Sequence, residues 1–493
     1  MARDDPQTDH IDVLIVGAGM SGIDAAYRIQ TLCKDKTYVI LEARDRIGGT
    51  WDLFRYPGVR SDSDMYTLGF PFRPWASEVS IARGEAIRDY VEDTAREFGI
   101  DRRIRFGHRV IGANWSSKDG HWTVEVEHDG ATRRITCLFL FACSGYYDYS
   151  EGYRPVWEGE AEFKGQIVHP QFWPEDLDVS RKTVAVIGSG ATAVTLVPSL
   201  ADQAAHVTMV QRSPTYIVAR PARDRIAGTL QRILPRGAAG SAIRWKNVLL
   251  TIFMYNRTRR KPEKAAEWIR GMIQRQLPAD YPIEQHFSPP YKVWDQRLCL
   301  VPDGDLFTSI RSGKTSVATG AIERFTPTGL RLVTGEEVRA DIVVTATGLI
   351  LKLFGGVQLS IDGKPVDPSE RVIWKGMMLS GVPNYFLSFG YTNASWTLRS
   401  DVTAKAVCRL LNRMDDGGFT VCTPQVPDGG MERLPVISFS SGYVQRALPF
   451  LPKQGSRQPW IVPQNYVKDR FAMRFGPIDE DLEMTRNATA VRT

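Results

Sequence analysis

Two apolar runs, each leading into a glycine-rich turn and then a stretch of helical periodicity, and a strand-poor segment over residues 221–292 predict an α/β chain: two Rossmann-like dinucleotide-binding domains with a helical insert. The length agrees. At about 150 residues per domain, a chain of 493 residues has room for several units, each with its own core. Charged residues make up 24% and apolar residues 43%, which excludes a disordered or coiled-coil chain. A net charge of +6 on a chain of this size is too dilute to indicate a nucleic-acid groove, so no nucleic-acid partner is expected. The 42 glycines and 12 tryptophans hint at close backbone approach to a ligand and at large apolar faces, without placing either.

In chain order, residues 11–16 form a continuous apolar run before Gly17-Ala18-Gly19-Met20-Ser21-Gly22, and Ile23, Ala26, Tyr27 and Ile29 continue at helical spacing. Residues 122–128 alternate like a half-buried strand, and 135–142 read as a fully buried one. Residues 183–187 repeat the opening plan before Gly188-Ser189-Gly190-Ala191-Thr192-Ala193, with Val194, Val197 and Leu200 on the following helix face. Gly17 and Gly188 are 171 positions apart, an interval that fits one domain inserted within another. Helical stretches such as 265–276, bounded by Pro262 and Pro278, dominate the insert. Strand signals resume at 330–332 and 341–346, and a helix-like stretch, 403–414, precedes a Pro- and Gly-rich tail. The expected division is 1–149 and 349–493 for the first dinucleotide domain with its tail, 150–220 and 293–348 for the second, and 221–292 for the insert.

The six cysteines form no CxxC pair, so neither a zinc site nor a redox dithiol is readable, and buried or free thiols are expected. Residues 1–10 are polar with no apolar signal core, and no apolar run approaches the ~20 residues needed to span a bilayer. A soluble, cytoplasmic protein is expected.

Charge tells the two turns apart. A lone GxGxxG is a weak signal, but a preceding strand and a following helix sharpen it. In the first copy, where Gly17, Gly19 and Gly22 form the turn, the strand 38–41 ends in Glu42. A carboxylate there accepts hydrogen bonds from ribose hydroxyls and repels a 2′-phosphate, which suits FAD or NAD; the alternative is an exposed Glu at a strand end. In the second copy, built from Gly188, Gly190 and Thr192, Ala193 stands where the third glycine would be, and the strand 206–210 ends in Gln211-Arg212-Ser213-Pro214 with no carboxylate. A guanidinium fork beside a hydroxyl suits a 2′-phosphate, hence NADP(H); the alternative is a solvated Arg opening a loop. Together the sites describe a flavoprotein reduced by NADPH.

A reduced flavin can pass electrons to a disulfide, to another acceptor or to O2, and the first route lacks its CxxC. Residues 163–174 fit FxGxxxHxxxWP, with Phe163, Gly165, His169 and Trp173 as motif residues. Here the sequence resembles the type I Baeyer–Villiger monooxygenases, whose fingerprint this is, and the terminal Trp-Pro separates it from related flavin N- and S-oxygenases. The resemblance assigns His169 to the domain linker more than to the chemistry. Gly48-Gly49-Thr50-Trp51 and Arg55-Tyr56-Pro57-Gly58-Val59-Arg60-Ser61-Asp62 resemble the family's GGTW and RYPGxRxD segments, implying that Gly49, Thr50, Trp51 and Asp62 line the flavin. Trp294-Asp295-Gln296-Arg297 occupies the place of the family's active-site arginine, a role that passes to Arg297. Residues 341–348 resemble the family's linker, ending in Ala346-Thr347-Gly348. Residues 61–70 and 390–398 are worded most like the ethionamide-activating branch. One departure is that many members carry Lys where this chain has Gln296, so preference for NADPH would rest on Arg212 and Ser213.

The resemblance implies an NADPH- and O2-dependent enzyme in which a C4a-peroxide of the flavin attacks a ketone to give an ester or lactone. An always-charged guanidinium, Arg297, would stabilise the developing anion. Asp62 would hold Arg297 in place, although an exposed turn Asp in Ser61-Asp62-Ser63-Asp64 is an alternative reading. No metal and no covalent protein nucleophile is expected. Sulfoxidation of thioethers or thioamides is an additional activity implied by the branch; a heteroatom oxygenase lacking ketone oxidation, or a nucleotide-sensing flavoprotein, are the alternatives. By analogy, the segment of Asn393 turns backbone amides toward the flavin, and Trp460 falls where relatives carry a loop that closes over NADP. Residues 245–255 are apolar-rich and are followed by Arg257, Arg259, Arg260 and Lys261. That stretch reads either as a weak peripheral contact with an anionic bilayer or as a packed helix with a solvated basic end.

Overall fold

The computed structural model describes residues 10–486; residues 1–9, read above as lacking a secretory signal, lie outside the described residues. The strand His10–Val16 lies at the heart of a nine-stranded sheet, pairing in parallel with Tyr38–Leu41 on one side and Ala131–Ala142 on the other. Val13, Leu14 and Ile15 are fully buried because helices cover one sheet face and aromatic side chains the other. Ala131–Ala142 also pairs antiparallel with His121–His128, which continues to Arg109–Ser116. Within His121–His128, Trp122, Val124 and Val126 point into the core between partly open neighbours, the alternation read from the sequence.

The second sheet has five parallel strands in the order Thr315–Thr319, His206–Gln211, Thr183–Ile187, Ile342–Thr345, Gln166–Val168. Here the structure departs from the expected linker at 341–348. Ile342–Thr345 is an inner strand with all four residues buried, because Val343 and Val344 each meet an apolar layer on opposite faces. Only Ala346-Thr347-Gly348 leaves the sheet, leading into Leu349–Leu351, which pairs with Tyr147–Gly152 in a two-stranded ribbon. The chain is an α/β protein with two Rossmann-like folds.

Four helices, Arg225–Ile233, Arg236–Arg260, Pro262–Gln274 and Ile283–Phe287, lie between the strands Ile217–Arg220 and Cys299–Pro302, which pair in parallel. Pro262 opens its helix from inside, since a first-turn residue needs no amide hydrogen. The late helix runs over Trp396–Gly417, seven residues longer at its start than its periodicity suggests. Its first turns bury Arg399, Ser400 and Asp401, polar residues that mask the apolar stripe. Arg399 pairs with Asp469, and Asp401 accepts from both Nε and Nη2 of Arg28. Trp460 does not line the cavity at the two glycine turns. It is fully buried, and its indole donates to Asp481 Oδ2 at 2.8 Å, so it fills the core beneath its loop. Among the described residues, all six cysteines are buried and unpaired, and no helix is long and apolar enough to cross a membrane.

Candidate active site

The turns after His10–Val16 and Thr183–Ile187 line one cavity of about 1250 Å³. In the first turn Gly17 has φ +103°, a conformation closed to most side chains, and a Cβ there would lie 2.8 Å from the Cys143 carbonyl oxygen. A Cβ on Gly22 would lie 1.9 Å from the Gly17 carbonyl oxygen, so Gly22 serves the close seating of helix on turn and does not itself line the cavity. The helices Met20–Leu32 and Ala191–Ala201 begin at Gly19 and Gly190, with no side-chain cap and no acidic residue in the first turn. Their free amides and positive dipole ends are thus available to phosphate. Gly188 repeats the geometry of Gly17 at φ +137°, while Gly190 has nothing within 4 Å of where a Cβ would be. Ala193 is fully buried against the second sheet, its methyl group filling the place of the third glycine.

Glu42 closes the strand Tyr38–Leu41 at the cavity wall. Its Oε2 accepts from the Ala18 amide at 2.7 Å and its Oε1 from the Arg44 amide at 2.9 Å. Burial pushes its pKa up, and those two hydrogen bonds pull it back. At the other turn, Arg212 is exposed at the cavity with no ion-pair partner among the described residues, and Ser213 and Gln296 line the same cavity. Ser213 is held by its carbonyl, which accepts from the Ser189 hydroxyl at 3.2 Å. Thr192 hydrogen-bonds the buried Tyr56 hydroxyl, whose pKa burial pushes up to about 12.

Arg297 and Asp62 meet on the same wall, Nε to Oδ2 at 2.7 Å, with 35% and 40% of their side chains open to the cavity. The Asp62 carboxylate drives the Arg297 pKa further above its ordinary value, outweighing desolvation. Gly49, Thr50 and Trp51 line the cavity too, and buried Asp52 holds their segment by pairing with Arg44 and Arg55. Around Arg297 stand three tyrosines not singled out in the sequence, Tyr146, Tyr147 and Tyr443. The hydroxyls of Tyr146 and Tyr147 are 2.6 Å apart, and the Tyr146 ring stacks on Trp396 at 4.5 Å. Burial pushes Tyr146 up to about 12 and raises Tyr443, so both stay protonated near neutrality. Tyr146 and Tyr147 follow the end of a buried strand, where ligands of such sheets collect, a signal that would have found them. Tyr443 has no local signal.

The fingerprint residues lie off the cavity. Phe163 packs edge-on to Phe325, Trp173 packs on the second core, and a Cβ on Gly165 would lie 2.2 Å from the Asp341 carbonyl oxygen. His169 sits against the ribbon, where a Cβ on Gly152 would come 2.1 Å from its Cε1. Its Nδ1 accepts from the Gln171 amide at 3.2 Å, and the Gln171 side chain donates to the Asp148 carbonyl at 2.8 Å. Desolvation lowers the His169 pKa. The Asn393 side chain turns away, donating to the Gln464 carbonyl at 2.9 Å, whereas Ala394 and Trp396 of the same segment line the cavity.

Residues 10–353 match the family described as flavin-binding monooxygenase-like. The chain is 56% identical over 475 residues to the FAD-containing monooxygenase EthA of Mycobacterium tuberculosis (strain ATCC 25618 / H37Rv), covering 96% of this chain and 97% of that protein. It is 45% identical over 475 residues to the probable FAD-binding monooxygenase AlmA of Acinetobacter baylyi (strain ATCC 33305 / BD413 / ADP1), covering 96% and 95%. Among solved structures, an oxidized steroid monooxygenase bound to NADP is similar with a TM-score of 0.75 at 20% identity, over 97% of this chain and 100% of that one. Cyclohexanone monooxygenase with bound epsilon-caprolactone gives the same TM-score and coverage at 19% identity. This chain, an α/β protein with two glycine-rich turns on one cavity, belongs to the flavin-binding monooxygenase-like family.

Proposed function

We propose that the chain is an NADPH- and O2-dependent, FAD-containing monooxygenase that converts ketones to esters or lactones and also oxidises thioether or thioamide sulfur. The Arg297–Asp62 pair, set in the cavity that both glycine turns line, carries this reading. FAD is assigned to the turn of Gly17 and Gly19 with Glu42, and NADP to the turn of Gly188 and Gly190 with Arg212 and Ser213. The uncapped helix ends and the charge difference between Glu42 and Arg212 support both assignments. On this reading the FAD domain comprises 1–149 and 349–493, and the NADP domain 150–220 and 293–348 with the helical insert 221–292.

Bound FAD, reduced by NADPH, supplies the electrons and the activation of O2. The protein supplies the charge and the enclosure. Arg297 presents a guanidinium that stays protonated at every working pH to the oxygen on which negative charge develops during transfer. Asp62 fixes its direction and offsets its desolvation, yet leaves guanidinium nitrogens free to face the cavity. Tyr146 and Tyr443, neutral near pH 7, offer hydroxyls without competing negative charge. Trp51 and the Tyr146–Trp396 stack exclude water from that wall. His169 and Gln171 anchor the ribbon that joins the sheets, which sets the distance between the two nucleotide sites.

Incubating the holoenzyme with NADPH, air and paired ketone and thioether substrates tests the proposal. Ester and sulfoxide are both expected. Sulfoxide without ester would leave the alternative, a heteroatom oxygenase that lacks ketone oxidation; NADPH oxidation giving only hydrogen peroxide would overturn both.

A further inference from the structure

The helix Arg236–Arg260 is buried at Ala239, Ile243, Arg244, Asn247 and Val248, then carries no buried residue to its end. Over that outer stretch Leu249, Leu250, Phe253 and Met254 form a stripe at helical spacing, with Phe253 60% exposed. Ten of the fifteen large hydrophobic side chains exposed among the described residues lie within residues 226–268 and 467–475. The two segments adjoin. The Trp245 ring lies 5.8 Å from that of Tyr466 and under the Arg470 guanidinium at 5.2 Å, and the helix Tyr466–Phe475 exposes Phe471 and Phe475. An apolar concentration of this kind marks an interaction surface.

Charge identifies what the surface meets. Residues 225–275 contain twelve Arg or Lys and two Glu, a net charge of +10, so the rest of a +6 chain nets −4. Arg257, Arg260 and Lys261, at the end of the stripe, have no ion-pair partner among the described residues. Exposed aliphatic and aromatic side chains next to unpaired cations match a plane in which hydrocarbon lies beneath anionic headgroups. We infer that this helical segment docks peripherally on an anionic lipid bilayer, with the stripe of Leu249, Leu250, Phe253 and Met254 inserted at the headgroup boundary. The helix lies on the membrane and does not cross it.

The same helix contacts the chain just before Arg297. Tyr255 meets the Trp294 ring at 5.2 Å, the Trp294 indole donates to the Thr258 hydroxyl at 2.9 Å, and Arg259 pairs with Asp295 at 2.8 Å, two residues before Arg297. Docking therefore brings the segment of Arg297 close to the bilayer, where apolar substrates concentrate. The surface itself does not depend on which oxygenation the site performs.

Sedimentation of the holoenzyme with phosphatidylcholine vesicles, with and without phosphatidylglycerol, tests the inference. Capture is expected by the anionic vesicles, weakened about tenfold in neutral vesicles and falling as salt screens the cations. Leu250→Glu with Phe253→Glu should reduce capture by at least about tenfold while leaving turnover of a water-soluble substrate unchanged. Failure of anionic vesicles to capture the wild type, or equal capture of the double variant, would overturn the inference. So would a light-scattering mass showing a dimer that the double variant dissolves without any vesicle binding, since the stripe would then cover a second copy of this chain.

Discussion

Replacing Arg212 with Ala tests the assignment of the second nucleotide site. Its guanidinium has no ion-pair partner among the described residues and faces the cavity beside Ser213, so the substitution removes no contact that holds the fold. A hydrogen bond to a charged group contributes about 1.5–3 kcal/mol, and the exposure of Arg212 places it near the lower end, about 1.5–2 kcal/mol. At about 1.4 kcal/mol per decade, NADPH should bind roughly 10- to 30-fold more weakly. NADH lacks the 2′-phosphate and should be affected by less than about twofold. Rapid-mixing measurement of flavin reduction under nitrogen, titrated separately with each nucleotide, reads both numbers. The wild-type preference should also shrink with added salt, because the contact is open to solvent. Equal weakening of NADH and NADPH, or of neither, would refute the assignment.

Gln296→Lys adds a cation to the cavity that Arg212 lines and should tighten NADPH by about fivefold, at roughly 1 kcal/mol for a partly exposed charge pair, with no gain for NADH; titration of flavin reduction checks this. Glu42→Gln sets an amide NH2 against one of two backbone N–H donors now satisfied at 2.7 and 2.9 Å. It should weaken FAD by roughly 10- to 100-fold, read as flavin lost on dilution, because a donor is left unpaired and a ribose acceptor is lost. Gly22→Ala forces a Cβ to 1.9 Å from the Gly17 carbonyl oxygen and should lower stability by about 1–3 kcal/mol; an unchanged urea midpoint would contradict the close-seating argument. Asp24 is fully buried, neither of its oxygens has a hydrogen-bond partner and Arg28 Nε reaches Oδ1 only at 3.8 Å; burial, then Asp401, raises its pKa well above the usual carboxylate value. A raised carboxyl pKa stabilises the fold at low pH and costs stability as pH climbs through the window above the unfolded value of about 3.9. Asp24→Asn should therefore gain progressively on the wild type as pH rises above that unfolded value, measured by denaturant midpoints; a difference flat with pH would exclude Asp24 as its source.

How far the site is legible in one dimension depends on how each residue is tied to the backbone plan. Glu42 and Arg212 follow strand ends by a fixed step, so a correct strand and turn place them at once. Asp62 and Arg297 lie in contiguous motifs, yet their 2.7 Å contact joins segments 235 positions apart and only the fold shows it. Tyr443 comes from a tail whose glycines and prolines erase periodicity. The start of the late helix was hidden because Arg399 and Asp401 are buried with partners on other elements, Asp469 and Arg28, which no local pattern encodes. Trp460 lies by analogy in a loop that closes over NADP, and the sequence does not show that its side chain is fully buried and bonded to Asp481. Asn393 marked the right segment, but the side chains that reach the cavity are its neighbours.

The most direct test of the account is oxygen-isotope incorporation by the wild type and by Arg297→Ala, each loaded with FAD and supplied with NADPH, an aryl ketone and 18O2. The wild-type ester should carry one 18O atom. The variant's flavin should still bleach with NADPH under nitrogen, and in air its NADPH consumption should yield hydrogen peroxide without ester. Labelled ester from Arg297→Ala at close to the wild-type rate would contradict the central role of the Arg297–Asp62 pair, and ester without label would contradict oxygen transfer from O2 altogether.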